Sequence, residues 1–473
     1  MPQRRSPRAR TPWHLVLMSA SLLLLSAAIL LKATRASSGN PEDDLYRQTE
    51  LVGQVLHRVS EDYLIKQDTW ELVYKALDEL VGSLDPYSDF VRPSDNQRFQ
   101  EETSGNYVGI GMIIHTSAEP VTVLYPFPGS PAEKAGLRPG DRIVSTNGEP
   151  TLELGVEGAQ KLIKGPPDTP VTLEVVKAGS GETETLTIIR ERIEQPSVVG
   201  SRILDPEAGI GYLRVEGFQE ATTEEFQHAL DRLIDAGARS LVLDLRMNAG
   251  GLLDQAVVLA NFFIREGVIV KLEGRPPRPS TVREARRRVF RYPDVDLVVL
   301  IDQLTASAAE VVAGALQDHK RALLVGTRSF GKGVVQSVIV LKGKDDQDLT
   351  LKLTTAHYVT PAGQRIEKIV DHEEDERGGL EPDFEIALGP EETLRKLAYR
   401  FEEQRVPPEY RDAVLKLLGR EPVAFEDRQL EAALALLRGE PLVRDVTATL
   451  ERAAQEAAGA AEGAAPGAEE SNR

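Results

Sequence analysis

At 473 residues the chain is longer than one hydrophobic core usually supports, so two or more domains are expected. Its 41% hydrophobic and 27% charged residues are a globular composition, and a formal charge of -18 argues against nucleic acid as a main partner. Cys is absent, which excludes a disulfide framework, thiol catalysis and cysteine-ligated zinc.

Arg4, Arg5, Arg8 and Arg10 precede "WHLVLMSASLLLLSAAILL", 19 residues without a charge. That length suits a bilayer span, and the arginines favour a cytoplasmic N-terminus. Residues 1–36 are therefore expected to be a membrane anchor or signal segment, with Ala36 a mediocre cleavage site and an anchor preferred. Everything beyond would lie outside the cytoplasm, periplasmic or extracellular. Residues 41–103 carry apolar positions at helical spacing (Leu51, Val55, Leu56, Val59, then Leu72, Val73, Leu77, Leu80), which predicts two or three helices. They end at "SLDPYSDF", where Asp85-Pro86 reads as a simple helix-to-loop turn.

Between residues 104 and 192 the pattern changes to short strands, with Asn147-Gly148 and "KAGSGE" as turns. From 193 to 390 strands and helices alternate: strands 210–216, 240–245, 296–302 and 322–326, helices 222–236, 251–264 and 307–318, then strands near 334–341 and 349–358. That is an α/β layer pattern. The basic, Pro-rich stretch "LEGRPPRPSTVREARRRVFRYPD" reads as an exposed loop or flap. Residues 391–453 look helical again, with Leu430, Ala433, Leu434 and Leu437 in one stripe, and 454–473 form a low-complexity tail expected to be disordered.

Three segments carry chemistry. In "LTASAAEVVAGALQDH", Ser307 stands before a helix, and with Glu310 it fits the S-x-x-E capping box as well as it fits a nucleophile. In "RSFGKGVVQS", Lys332 lies between two glycines, 25 residues after Ser307; alone it reads as a solvated hairpin tip. In "SLVLDLRMNAGGLLDQAV" a strand runs through Asn-Ala-Gly-Gly into a helix, presenting backbone N–H groups that suit an anion, or only a tight turn. Among the histidines, His319 lies at the far end of the Ser307 helix, while spacing leaves His228, His357 and His372 open.

The segment "GSPAEKAGLRPGDRIVSTNG" resembles the most recognisable stretch of PDZ domains, and "NYVGIGMII" resembles their carboxylate-binding loop. That resemblance gives Tyr107, Val108, Gly109, Ile110 and Gly111 as substrate-binding residues, which would take a free C-terminal end by strand addition. From about Leu45 to Asp383 the order of motifs resembles the C-terminal processing proteases, also called tail-specific serine proteases. By that resemblance Ser307 is the nucleophile, Lys332 the general base, Gln336 the residue orienting the lysine, and the N–H groups of Gly250 and Ala308 the oxyanion donors. Ala249 stands where the family usually has proline, and "LTASAAE" where "GSASASE" is common.

The resemblance implies a multidomain α/β chain: a PDZ domain inserted beside a crotonase-like α/β serine protease core, with helical N- and C-terminal regions. It implies no metal and no cofactor. Its partners would be polypeptides with free C-terminal ends, a membrane through the N-terminal segment, a regulatory protein at the PDZ domain, and a second copy of the chain in a homodimer contact through the helical ends. The rivals are a PDZ adaptor with an inert or latent core and a crotonase-like acyl-CoA enzyme. Lysine chemistry supports the protease reading: a free amine near 10.4 is protonated, and burial can lower it by up to about 3–5 units.

Overall fold

The computed structural model describes residues 41–115, 120–276, 280–367 and 378–440. The predicted anchor, His372 and the C-terminal tail lie outside them. The chain divides into two units, residues 1–83 and 84–473. Among the described residues no helix is long and apolar enough to cross a membrane.

The first unit holds the helices Pro41–Asp62 and Thr69–Gly82. Asp68 caps the second, its carboxylate accepting from the N–H groups of Trp70 at 2.9 Å and Glu71 at 3.4 Å. Leu51, Val52 and Val55 on the first helix are exposed.

The second unit begins at the turn after "SL". Its strand-rich part is a sheet of Met112–His115, Val121–Pro126, Arg142–Thr146, Pro170–Val176 and Thr183–Ile189, closed by the helix Thr151–Ile163. Val171, Leu173 and Val175 alternate into its core against Ile143, Ala159 and Ile163, as a one-sided strand requires. Asn147 and Gly148 both take positive φ, 52° and 85°, the geometry of a tight hairpin. This insert enters through Asn106–Gly109 and leaves through Glu191–Glu194, and the two strands pair antiparallel.

The α/β part is a six-stranded sheet in the order Val198–Asp205, Ile210–Val215, Ser240–Asp244, Asp296–Ile301, Leu323–Gly326, Phe384–Glu385. The first pair is antiparallel and the rest parallel. Both faces are covered, which explains strands buried along their whole length. Leu213, Leu243, Val299 and Leu324 pack on the helices Thr222–Asp235, Leu253–Phe263 and Ala308–Asp318. Tyr212, Val242, Val298 and Val325 meet Ala432, Ala433 and Leu434 of the helix Arg428–Arg438.

A second, antiparallel sheet flanks this core: Asp89–Val91, Asp348–Val359, Val268–Gly274 and Thr281–Glu284, with Val334–Lys342 also paired to Asp348–Val359. The stretch expected to be a loop or flap is thus partly a strand pair, Val268–Gly274 with Thr281–Glu284. Its residues Thr281–Glu284 are all exposed, so the polar composition marks a solvated edge strand rather than an irregular loop.

Candidate active site

The strand Asp296–Ile301 runs into the helix Ala308–Asp318 through a braced turn. Asp302 accepts from the N–H groups of Leu304 at 3.0 Å and Met247 at 2.9 Å, and Ala306 N–H donates to the Asn248 carbonyl at 2.8 Å. These bonds tie the serine turn to the Asn-Ala-Gly-Gly turn and hold Ser307 at φ 55°, ψ -119°. A non-glycine residue in that region is strained, and such strain gathers where a side chain must be presented sharply. The Ser307 side chain makes no cap bond to the helix, while Glu310 accepts from Ser307 N–H at 2.8 Å.

Glu310 does more than cap. It is fully buried one helical turn beyond Ser307, and its Oε2 also accepts from Lys332 N–H at 2.9 Å. Its Oε1 accepts from Ser329 Oγ at 2.6 Å and Gly331 N–H at 2.7 Å. One carboxylate therefore fastens the Ser307 turn to the lysine loop. Burial nevertheless pushes its pKa up, against the hydrogen bonds from Ser329, Gly331, Ser307 and Lys332. The glycines of "FGKG" are steric: a Cβ on Gly333 would lie 2.0 Å from Glu367 N, and one on Gly331 2.9 Å from Gly379 N.

Lys332 is half-buried, its amine 4.7 Å from the centroid of the Tyr87 ring. Burial, then the Lys352 charge, lowers its pKa, while Asp85 and Glu310 pull it back up. Gln336 sits opposite Thr354 in the strand pair; its Nε2 donates to Thr354 Oγ1 at 3.5 Å, and that hydroxyl donates to Asp85 at 3.2 Å. Burial pushes the pKa of the Tyr358 hydroxyl up to about 12, against a smaller lowering by the Ser307 side chain. Neither Lys332 nor Gln336 is hydrogen-bonded to the Ser307 side chain among the described residues.

Gly250 lies directly against the serine: a Cβ there would stand 2.8 Å from Ser307 Cβ and 3.1 Å from Ala308 N. The two sequence-predicted oxyanion donors are thus neighbours. Gly250 N–H is occupied, however, donating to Asn248 Oδ1 at 2.8 Å. His357 is next to Tyr358 on one strand and so faces the opposite way; it is paired with Glu367. His319 bonds Val268 O at 2.7 Å from the far end of the serine helix.

Asp85, read from the sequence as part of a simple helix-to-loop turn, and Tyr87 just after it belong to this cluster. Asp85 accepts from the N–H groups of Tyr87 and Ser88, each at 2.8 Å, and from Ser88 Oγ at 2.7 Å. This locked turn brings the Tyr87 ring to Lys332. Asp-Pro-Tyr-Ser signals the turn but not its destination. Glu310 left a fainter signal, a lone carboxylate inside the apolar run "SAAEVVAGAL".

In the strand-rich insert, Tyr107, Gly109, Ile110 and Gly111 line a cavity of about 630 Å³ with Ile163 and Lys164. Val108 faces away into a separate cavity beside Arg192. The carbonyls of Ile110 and Gly111 are taken by the N–H groups of Ala132 and Phe127, at 2.8 and 3.0 Å. Among the described residues no group of three or more His, Asp or Glu could hold a metal ion.

Comparison with known proteins agrees in both regions. Residues 209–386 match the family model described as peptidase family S41, and residues 122–177 match a PDZ domain. The chain is 32% identical over 435 residues to the carboxy-terminal-processing protease of Bartonella bacilliformis, covering 90% of this chain and 94% of that one. It is 36% identical over 304 residues to the carboxyl-terminal-processing protease of Synechocystis sp., covering 63% and 69%. A solved structure of the photosystem II D1 C-terminal processing protease aligns at 31% identity and a TM-score of 0.39, covering 70% of this chain and 91% of that one.

Proposed function

The chain belongs to peptidase family S41 as a serine-type endopeptidase with a PDZ domain, and from that premise we propose that it cuts polypeptides near their free C-terminal ends by a Ser/Lys mechanism, outside the cytoplasm. In this reading deprotonated Lys332 takes the Ser307 proton as Oγ bonds to the scissile carbonyl carbon. The resulting oxyanion is held by the N–H groups of Ala308 and, once Asn248 releases it, Gly250. Collapse breaks the C–N bond, Lys332 returns the proton to the leaving amine, and water then hydrolyses the acyl-enzyme. Gln336 orients the lysine, and its neutral amide adds no charge that would raise the lysine pKa.

The observation that carries the reading is the shared Glu310 oxygen, which accepts from both Ser307 N–H and Lys332 N–H. Two residues 25 apart in sequence are fastened by one atom. The core is proposed to be crotonase-like. The N-terminal segment would anchor the chain in a membrane, the helical ends would form a homodimer contact, and the PDZ domain would take a tail or a regulatory protein.

We expect Ser307→Ala to abolish cleavage of a tail peptide without unfolding the protein. Lys332→Ala and Lys332→Arg should be equally inactive, because arginine stays protonated at any working pH. Gln336→Ala should be slowed but active. Cleavage by Lys332→Ala at the unmodified rate would remove the lysine from the mechanism.

A further inference from the structure

The "LDPYS" turn enters the catalytic cluster with an aromatic ring, and nothing in the reaction as written uses it. Asp85 fixes the turn through Tyr87 N–H, Ser88 N–H and Ser88 Oγ, so the ring is carried on a short, locked segment. The Lys332 amine lies 4.7 Å from the ring centroid, within the range of a cation–π contact. Such a contact favours the ammonium over the neutral amine. Loss of the proton removes that attraction and frees the amine from the ring.

We propose that Tyr87 is a positioning residue of the catalytic site, its ring face holding the Lys332 ammonium in an idle place so that the lysine engages Ser307 only after deprotonation. The proposal rests on Lys332 being the base. It gives the turn a part in setting the pH at which the enzyme becomes active. The other groups facing Lys332 are Lys352 from the neighbouring strand, which opposes the ammonium, and Asp85 and Glu310, which favour it. Those facing Tyr87 are Glu367, Glu310 and Asp85, whose charges with burial hold its hydroxyl protonated. The contact is thus with a neutral phenol, and the ring rather than the hydroxyl is the working part.

The sign of the effect follows. Removing the ring takes away a stabiliser of the charged form, so the Lys332 pKa falls and the acid limb of activity moves to lower pH. Tyr87→Phe keeps the ring and should leave the limb in place. Tyr87→Leu should move it down by about 0.5–1.5 pH units, the span of exposed to partly desolvated cation–π contacts.

The test is run on the full chain with two readouts. The first is the pH profile of kcat/KM on one tail peptide for Tyr87→Phe and Tyr87→Leu. The second is the NMR titration of the Lys332 ε-carbon in a Ser307→Ala background, assigned by its loss in Lys332→Met. If Tyr87→Leu does not fold, phenylalanines of increasing fluorination at position 87 keep the shape while weakening the ring face, and the Lys332 pKa should fall stepwise along the series. An unchanged Lys332 titration in Tyr87→Leu or along the fluorinated series, or an equal shift in Tyr87→Phe, overturns the proposal. A Lys332 pKa that moves as expected while the kcat/KM profile stays still supports the ring contact and sinks Lys332 as the base.

Discussion

Gly250 and Glu310 show at the residue scale how little room the site has. A methyl group on Gly250 would meet Ser307 Cβ at 2.8 Å in a backbone held at φ 103°. Gly250→Ala must shift Ser307 or the turn, at a cost of about 1–3 kcal/mol. We expect kcat to fall by roughly a hundredfold, the scale of losing one oxyanion donor, with KM nearly unchanged. Steady-state kinetics beside a thermal melt decide it; an unchanged kcat would mean that the turn has slack. Glu310→Gln is a sharper case. Oε2 faces two backbone N–H groups, and Oε1 faces one with the Ser329 hydroxyl, so either orientation of the amide aims an NH2 at a donor. Each stranded buried N–H costs about 1–3 kcal/mol. We expect a lower melting temperature together with a loss of kcat, whereas a variant as stable and as fast as the parent would show that the serine and lysine turns hold without it.

The elements around the site were legible to the degree that their burial is one-sided or continuous. The parallel strands and the helices between them stand close to where apolar runs and periodicity put them, because those residues answer to local rules. The stripe of Leu430, Ala433, Leu434 and Leu437 marks a face of the helix Arg428–Arg438 for the core or a partner, but that it covers the second face of the sheet is a long-range fact the sequence does not carry. That helix is pinned by charge. Arg246, fully buried just before the Asn-Ala-Gly-Gly turn, donates to both oxygens of Asp244 and to both oxygens of Asp427, at 2.6 to 2.9 Å. Burial alone would raise the Asp427 pKa, but the Arg246 guanidinium more than cancels it and holds the carboxyl below its usual range. A depressed carboxyl contributes stability that is present above its unfolded pKa, about 3.9, and is lost as pH falls through the folded value. Melting temperature should therefore drop on acidification through and below that range, and the drop should be smaller in Asp427→Asn, which is already weakened at neutral pH. Parallel acid curves for the two proteins would show that this carboxyl does not drive the loss.

At the scale of the whole molecule, the motifs for the insert and for the Ser307, Lys332 and Gly250 turns could be read from local sequence, while the joins between them could not. Nothing in "PAEKAG" announces that Glu133 accepts from the Tyr410 hydroxyl at 2.8 Å, or that Tyr125 packs with Val406 and Val414. These contacts tie the insert to the C-terminal helices, and Arg400 ties those helices to Asp244 at 2.8 Å. The paired strands Asn106–Gly109 and Glu191–Glu194, by contrast, bring the two ends of the insert side by side. Paired antiparallel residues lie about 5 Å apart, so a short glycine turn can replace residues 110–190 without stretching the core. Val406→Thr and Val414→Thr would lessen the apolar surface this bares. If the insert reads a free carboxylate, the full chain should bind and cut a tail peptide in preference to its C-terminal amide, with the difference mainly in KM. The shortened chain should cut both slowly and alike. A shortened chain that keeps the preference would place carboxylate recognition in the protease core. A full chain that treats acid and amide equally would leave the cavity beside Tyr107 and Lys164 to an internal segment or a regulator.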